Sequence, residues 1–233
     1  MTTHTSTQFD SELDAVRAQL TQMGGLVEQQ LHGALALLTS RDEESAEQLI
    51  ARDKAIDALE LEIDDAATHI IAKRQPTAID LRLLIAIIKV VRDLERMGDE
   101  AKKIAKAIRK INEQLHTGPL AHEVDLRRIG DRVATMVHDV LDAFVRNDTA
   151  EAAAVIRLDS EVNADYRVIT RLVVTYMMED PRTISTSLDL MFVAKSIERI
   201  GDHAKNIAEH VIFIAEGRDI RHKGLAGLDE LAS

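Results

Sequence analysis

Cysteine and tryptophan are absent from the 233 residues, and proline occurs only three times. The first absence removes disulfides, thiolate metal sites and cysteine nucleophiles. Aromatics amount to 3% and glycines to ten, too few for a β-sandwich or barrel with frequent turns. No apolar run approaches the roughly 18 residues that a membrane span requires. Met1 to Gln8 is polar and has no apolar centre, so no secretory signal is read there. A cytoplasmic protein without membrane insertion is expected. Basic charge is also short: the formal net charge is −11 and the isoelectric point about 5.3. Nucleic-acid binding needs a basic footprint that releases counterions, so that class of partner is excluded. A glycine-rich phosphate loop, a Gly-x-Ser-x-Gly elbow and a nucleophile–base pairing are all missing, and nothing in the sequence points to catalysis.

What is present is 45% hydrophobic and 30% charged residues, the balance of a packed helical protein. Apolar residues recur at helical spacing almost throughout. A first helix is predicted from about Phe9 to Leu38, with Leu13, Val16, Leu20, Met23, Val27, Leu31 and Leu35 on one stripe. A second spans about 42–74, opened by a capping box of Ser40 and Glu43. Pro76 marks a tight turn, and Thr77 with Asp80 opens a third helix that reaches about Leu115. Gly118-Pro119 is the strongest break in the middle of the chain. Beyond it a fourth helix covers about 121–146. A fifth, capped by Asp148 and Glu151, covers about 149–179. Asp180-Pro181 starts a sixth, which Gly217 stops. Short connections imply antiparallel neighbours. The expected fold is therefore all-α, two pseudo-symmetric three-helix bundles at 1–117 and 118–220, followed by a flexible tail at 221–233.

The densest information lies in a repeat. Asp93–Ala105 and Ser196–Ala208 are identical at eight of thirteen positions, at a constant offset of 103 residues from Glu95 to Glu198. Both copies contain Glu-Arg-x-Gly-Asp. Glu95 and Asp99 stand one helical turn apart, about 40° around the axis. The apolar stripe Leu94, Met97, Ala101, Ile104 and Ile108 lies nearly opposite them, so both acid pairs are expected to face away from the core. Two readings of the pairs stand: a solvated face neutralised by neighbouring Lys or Arg, or a cation site. Like charges at this spacing destabilise a helix unless a cation lies over them. Gly98 and Gly201 inside a helix each cost about 1 kcal/mol relative to alanine, which suggests close approach of another group. Asp53, Asp57, Glu60 and Asp64 form a second acidic stripe that an antiparallel neighbour would bring to Glu95 and Asp99. Such all-oxygen ligands suit a divalent or trivalent ion, Mg, Mn, Fe or Zn. The matching residues of the second half are Asp159, Asn163, Tyr166 and Thr170, a stripe largely without acid. A di-iron enzyme would need Glu-x-x-His twice, and only Glu113 with His116 has that spacing. The histidines are read as surface or satisfied side chains, and His203 beside Asp202 is the one to check as an extra ligand.

At Glu95–Asp99 and Glu198–Asp202 the chain resembles the PhoU family. The likeness extends to LTQMGGLVEQQL near the start, AKRQPTAIDLRL around Pro76 and TYMMEDPRTI before the sixth helix. The resemblance implies a non-enzymatic negative regulator of the phosphate-starvation response and of phosphate uptake. Its partners would be the ATPase subunit of the phosphate ABC transporter and a sensor histidine kinase, and it would form a homodimer. It also implies metal at Glu95, Asp99, Asp53 and Asp57 in the first half and at Glu198, Asp202 and Asp159 in the second. Asn163 departs from the acidic pattern. Two alternatives remain open here: a metal-dependent helical carboxylate enzyme, and a metal-binding module unrelated to phosphate signalling.

Overall fold

A computed structural model describes residues 7–115 and 125–217. Among the described residues there are six long α-helices: α1 (Thr7–Ser40), α2 (Glu43–Arg74), α3 (Ala78–Leu115), α4 (Leu126–Arg146), α5 (Thr149–Glu179) and α6 (Ile184–Glu216). The expected all-α architecture is what forms, with α1–α3 and α4–α6 as two pseudo-symmetric three-helix bundles. The Gly118-Pro119 break, His116 and the tail at 221–233 lie outside the described residues. Among the described residues, no helix is long and apolar enough to cross a membrane.

Local chemistry sets the helix ends, with some differences from expectation. Arg41 takes the left-handed conformation at φ 51° and closes α1, its N–H donating to the Leu37 carbonyl at 3.1 Å. The cap of α2 is therefore Asp42, not Ser40, and its carboxylate accepts from Ser45 N–H at 3.1 Å. At α3 the Thr77 hydroxyl donates to the Asp80 carboxylate at 2.9 Å. Asp125 caps α4, so that helix begins at Leu126, later than its sequence pattern suggested. Asp148 caps α5 through the N–H groups of Ala150 and Glu151. Asp180 and Pro181 open a 3-10 turn, Pro181–Thr183, before the α-helical ladder of α6 begins. Gly217, at φ 71°, ends α6 in the left-handed conformation that glycine adopts without strain.

The two bundles share one core. On α1, Gly24 receives the Leu141 side chain of α4. On α4, Gly130 receives Leu35 of α1 in the same way. A Cβ at either glycine would come within 2.7 Å and 2.6 Å of those leucines. This reciprocal packing relates α1 and α4 by the same pseudo-twofold that relates the motif helices. Partners between α3 and α6 run in opposite order: Asp93 meets His203, Glu100 meets Arg199, and Lys110 meets Asp189. The two helices are therefore antiparallel across the centre of the molecule. The stripes Leu94, Met97, Ala101, Ile104 and Ile108 on α3 and Ile197, Ile200, Ala204, Ile207 and Val211 on α6 are buried as expected.

Candidate functional site

Turning away from the apolar stripe does not place the motif acids in open water. They lie on the shoulder of α3 that meets α2, and of α6 that meets α5. Glu95 retains 18% of its side-chain exposure and Asp99 33%, whereas Glu198 retains only 8%. The outward-facing expectation is corrected accordingly. A helical wheel drawn from one helix cannot show what the next helix covers.

In the first half, α2 brings its acidic stripe against the motif, as the antiparallel arrangement requires. Asp53 is buried, and its carboxylate accepts from Gln30 of α1 at 3.0 Å and from Lys102 of α3. Lys102 also donates to Asp99 at 3.3 Å, so one ammonium joins α2 to the motif. The other carboxylates are less well neutralised. Burial holds Asp57 above the usual carboxylate range, with added repulsion from Asp53 and Asp99. Glu60 is raised by burial and then by Asp64 and Asp57. Glu95 is raised by burial and then by Asp99, Glu60 and Asp57, although Arg96 lies 3.6 Å away. One Asp64 oxygen is buried and has no hydrogen-bond partner. This crowding of partly desolvated carboxylates is a chemistry that a hard cation would relieve. Among the described residues, no three His, Asp or Glu groups are already gathered as a ligand set.

The second half places fewer acids in the same frame. Asp159 is buried and accepts from Lys205 at 3.2 Å and from the Asn163 amide at 3.1 Å. Lys195 pairs with Glu198 and stands 5.2 Å from the centre of the Tyr166 ring. Asp202 is raised by burial and then by Glu198 and Asp159. The asparagine and tyrosine that replace α2 acids thus make contacts of their own.

Packing explains the mid-helix glycine of the first half and leaves room at that of the second. A Cβ on Gly98 would lie 3.0 Å from the Ile56 side chain of α2 and 3.5 Å from the Asp53 carboxylate. On Gly201 it would meet Val162 of α5 at 3.4 Å. Gln30 is the site residue that sequence reasoning missed. Its amide donates to Asp53 and also to the Gly98 carbonyl at 3.2 Å, fastening α1 to α2 and α3 at the motif. The available signal was a polar residue on the apolar face of α1; its counterpart on α4 is Met136, whose methyl lies near Gly201. His203 does not join the acid pair. Its Nδ1 lies 2.8 Å from Asp93, which also accepts from Asn206 at 3.2 Å.

The family model described as the PhoU domain matches this chain twice, at residues 20–108 and 126–211. The chain belongs to the PhoU family. The two matches contain the two copies of the motif and the helix pairs around them. "Phosphate-specific transport system accessory protein PhoU" of Escherichia coli is 46% identical over 229 residues, covering 98% of this chain and 93% of that protein. The homologous protein of Pseudomonas aeruginosa is 46% identical over 230 residues, covering 99% and 94%. Among solved structures, the crystal structure of PhoU from Pseudomonas aeruginosa superposes with a TM-score of 0.87 at 45% identity, covering 90% of this chain and 100% of that one. That of the phosphate transport system regulatory protein PhoU from Streptococcus pneumoniae does so at 0.82 with 28% identity, covering 91% and 98%. Members of the PhoU family are regulatory rather than catalytic, so this chain acts in phosphate signalling and is not an enzyme.

Proposed function

We propose that the chain is a cytoplasmic negative regulator of the phosphate-starvation response and of phosphate uptake. It works as an adaptor between the ATPase subunit of the phosphate ABC transporter and a sensor histidine kinase. The observation that carries this reading is kinship along nearly the whole chain with proteins named as accessories of phosphate-specific transport. Deleting the gene is expected to switch on starvation-responsive genes when phosphate is plentiful. Expression that stays repressed in the deletion strain would remove the role.

A cation at the motif is the second part of the proposal. Glu95, Asp99, Asp57 and Glu60 would hold it in the first half, with Asp53 beside them. Glu198, Asp202 and Asp159 would hold it in the second. Such an ion would supply positive charge between α2 and α3, or α5 and α6, and would relieve carboxylate repulsion. Mg, Mn, Fe and Zn all accept such oxygen ligands. Support comes from the raised acids Asp57, Glu60, Glu95 and Asp202 and from the orphaned Asp64 oxygen. Replacing Glu95 and Asp99 together by alanine should lower the metal recovered per chain, and unchanged stoichiometry would rule them out as ligands. We further propose a homodimer, for which sedimentation across a concentration series is the check.

A further inference from the structure

Large apolar side chains stand exposed on the first half of α6. Ile184, Leu188 and Phe192 follow one another at intervals of one helical turn and are 42%, 46% and 66% exposed. The same face continues through Lys195 and Arg199, whose side chains are 43% and 55% exposed. Beside it runs the last half of α3, with Lys103, Lys106 and Lys110 outward. Two contacts fix this adjacency. Lys110 reaches Asp189 at 2.8 Å, and Arg199 and Lys103 both reach Glu100, at 3.1 Å and 2.9 Å.

The charges on this patch are layered. The carboxylates Glu100, Asp189 and Glu198 keep only 6%, 7% and 8% of their side-chain exposure. The cations they hold lie above them in solvent. A protein of net charge −11 therefore presents one local surface that is positive on the outside and apolar along its middle. The pseudo-twofold does not reproduce it. The positions related to Leu188 and Phe192 are Ile85 and Lys89, and the neighbouring stretch of α6 has Glu209 and His210 buried and Phe213 lying 5.6 Å beneath the Arg82 guanidinium.

We propose that this shared face of α3 and α6 docks an acidic amphipathic helix of a partner protein. Apolar residues at i and i+4 of that helix would seat against Leu188 and Phe192, and Asp or Glu on its flanks would meet Lys103, Lys106, Lys110 and Arg199. Two antiparallel helices leave a channel that receives a third helix by ridge-into-groove packing. The buried acids beneath Lys103, Lys110 and Arg199 hold those side chains in place, which lessens the entropy lost on docking. Aromatic and arginine side chains are the residue types that dominate binding energy at such surfaces. The proposal is independent of metal and of the adaptor role.

The test uses the full chain and two synthetic helical peptides, both with leucines at i, i+4 and i+7. One has glutamates on its flanks and the other lysines. Fluorescence anisotropy should show the acidic peptide binding at least tenfold more tightly than the basic one, and more weakly as salt is raised. K106E and F192D should each weaken the acidic peptide at least tenfold, whereas L61D, at another exposed leucine, should not. Circular dichroism shows whether each variant folds. If F192D does not, K106E on the exposed face of α3 decides alone. Equal binding of both peptides, or binding unchanged by K106E, overturns the proposal. Adsorption to vesicles with a third of anionic lipid in place of peptide binding overturns it in favour of a membrane. A change of oligomeric state in F192D overturns it in favour of a second copy of the chain.

Discussion

The two bundles share one plan and use its central contact differently. In the first, a buried Asp53 is held by Lys102 and Gln30 while Asp57, Glu60 and Glu95 crowd one another. In the second, Asp159 is held by Lys205 and Asn163, Glu198 has its own lysine, and only Asp202 among these acids is raised. The backbone frame and motif are the same, yet one site holds excess negative charge and the other is close to balanced. Three substitutions on α5 account for this: asparagine, tyrosine and threonine stand where α2 has Asp57, Glu60 and Asp64. Duplication preserves a helix pair far more readily than it preserves a full ligand set.

The largest expected difference lies in the bridging lysines. Lys102→Met leaves the Asp53 charge buried beneath α3 and should cost about 3 kcal/mol in a denaturant melt. Lys205→Met should cost only about 1 kcal/mol, because Lys205 bonds Asp159 at 3.2 Å, whereas Lys102 joins both Asp53 and Asp99 across two helices. Equal losses would break the contrast. Next is Gln30→Met, which gives the first half the residue of the second at that place. It strands a buried carboxylate oxygen of Asp53 and removes the second hydrogen bond of the Gly98 carbonyl, and a loss of about 2 kcal/mol is expected by the same measurement. The glycines should separate as well. Gly201→Ala gains helix propensity at an ordinary contact distance and should stabilise by about 0.5 kcal/mol. Gly98→Ala must displace Ile56 in the core and should destabilise by about 0.5 kcal/mol. Thermal melts of the two variants shifting in the same direction would contradict the packing account.

The smallest effect concerns the seam joining the bundles. His138 on α4 lies 2.9 Å from Glu28 on α1, and that carboxylate raises the imidazole above its ordinary value. A raised histidine favours the folded state fully below its unfolded pKa, and the benefit is lost as pH rises through the folded value. His138 is largely exposed, so solvent screening leaves only a few tenths of a kcal/mol. His138→Ala should remove that fraction of the pH dependence between about pH 6 and 8, as read from melts across the range. A variant whose stability tracks the parent at every pH would show that the contact contributes nothing.

Much of the fold was legible because helices advertise themselves locally. The stripes ending in Ile108 and Val211 are buried where the 3.6-residue period put them, and Asp148, Asp180 and Gly217 end or begin helices through their own backbone neighbours. The repeat located both acid clusters for the same reason, since it is a property of the chain alone. Ser40 failed as a cap because Arg41 closes α1 in the left-handed region, and arginine carries no signal for that conformation.

The sequence by itself determined six helices, their duplication and an unequal supply of acid between the halves. Those follow from period, identity and residue count, none of which needs a neighbour. Only the tertiary structure decided that the motif acids lie under α2 and α5, that Gln30 fastens Asp53 to the Gly98 carbonyl, and that α3 and α6 together present a basic, apolar-centred face on an acidic protein. These depend on which helix covers which shoulder. That is set by packing leucines into glycines and isoleucines against one another over the whole molecule, and no single stretch of chain contains it.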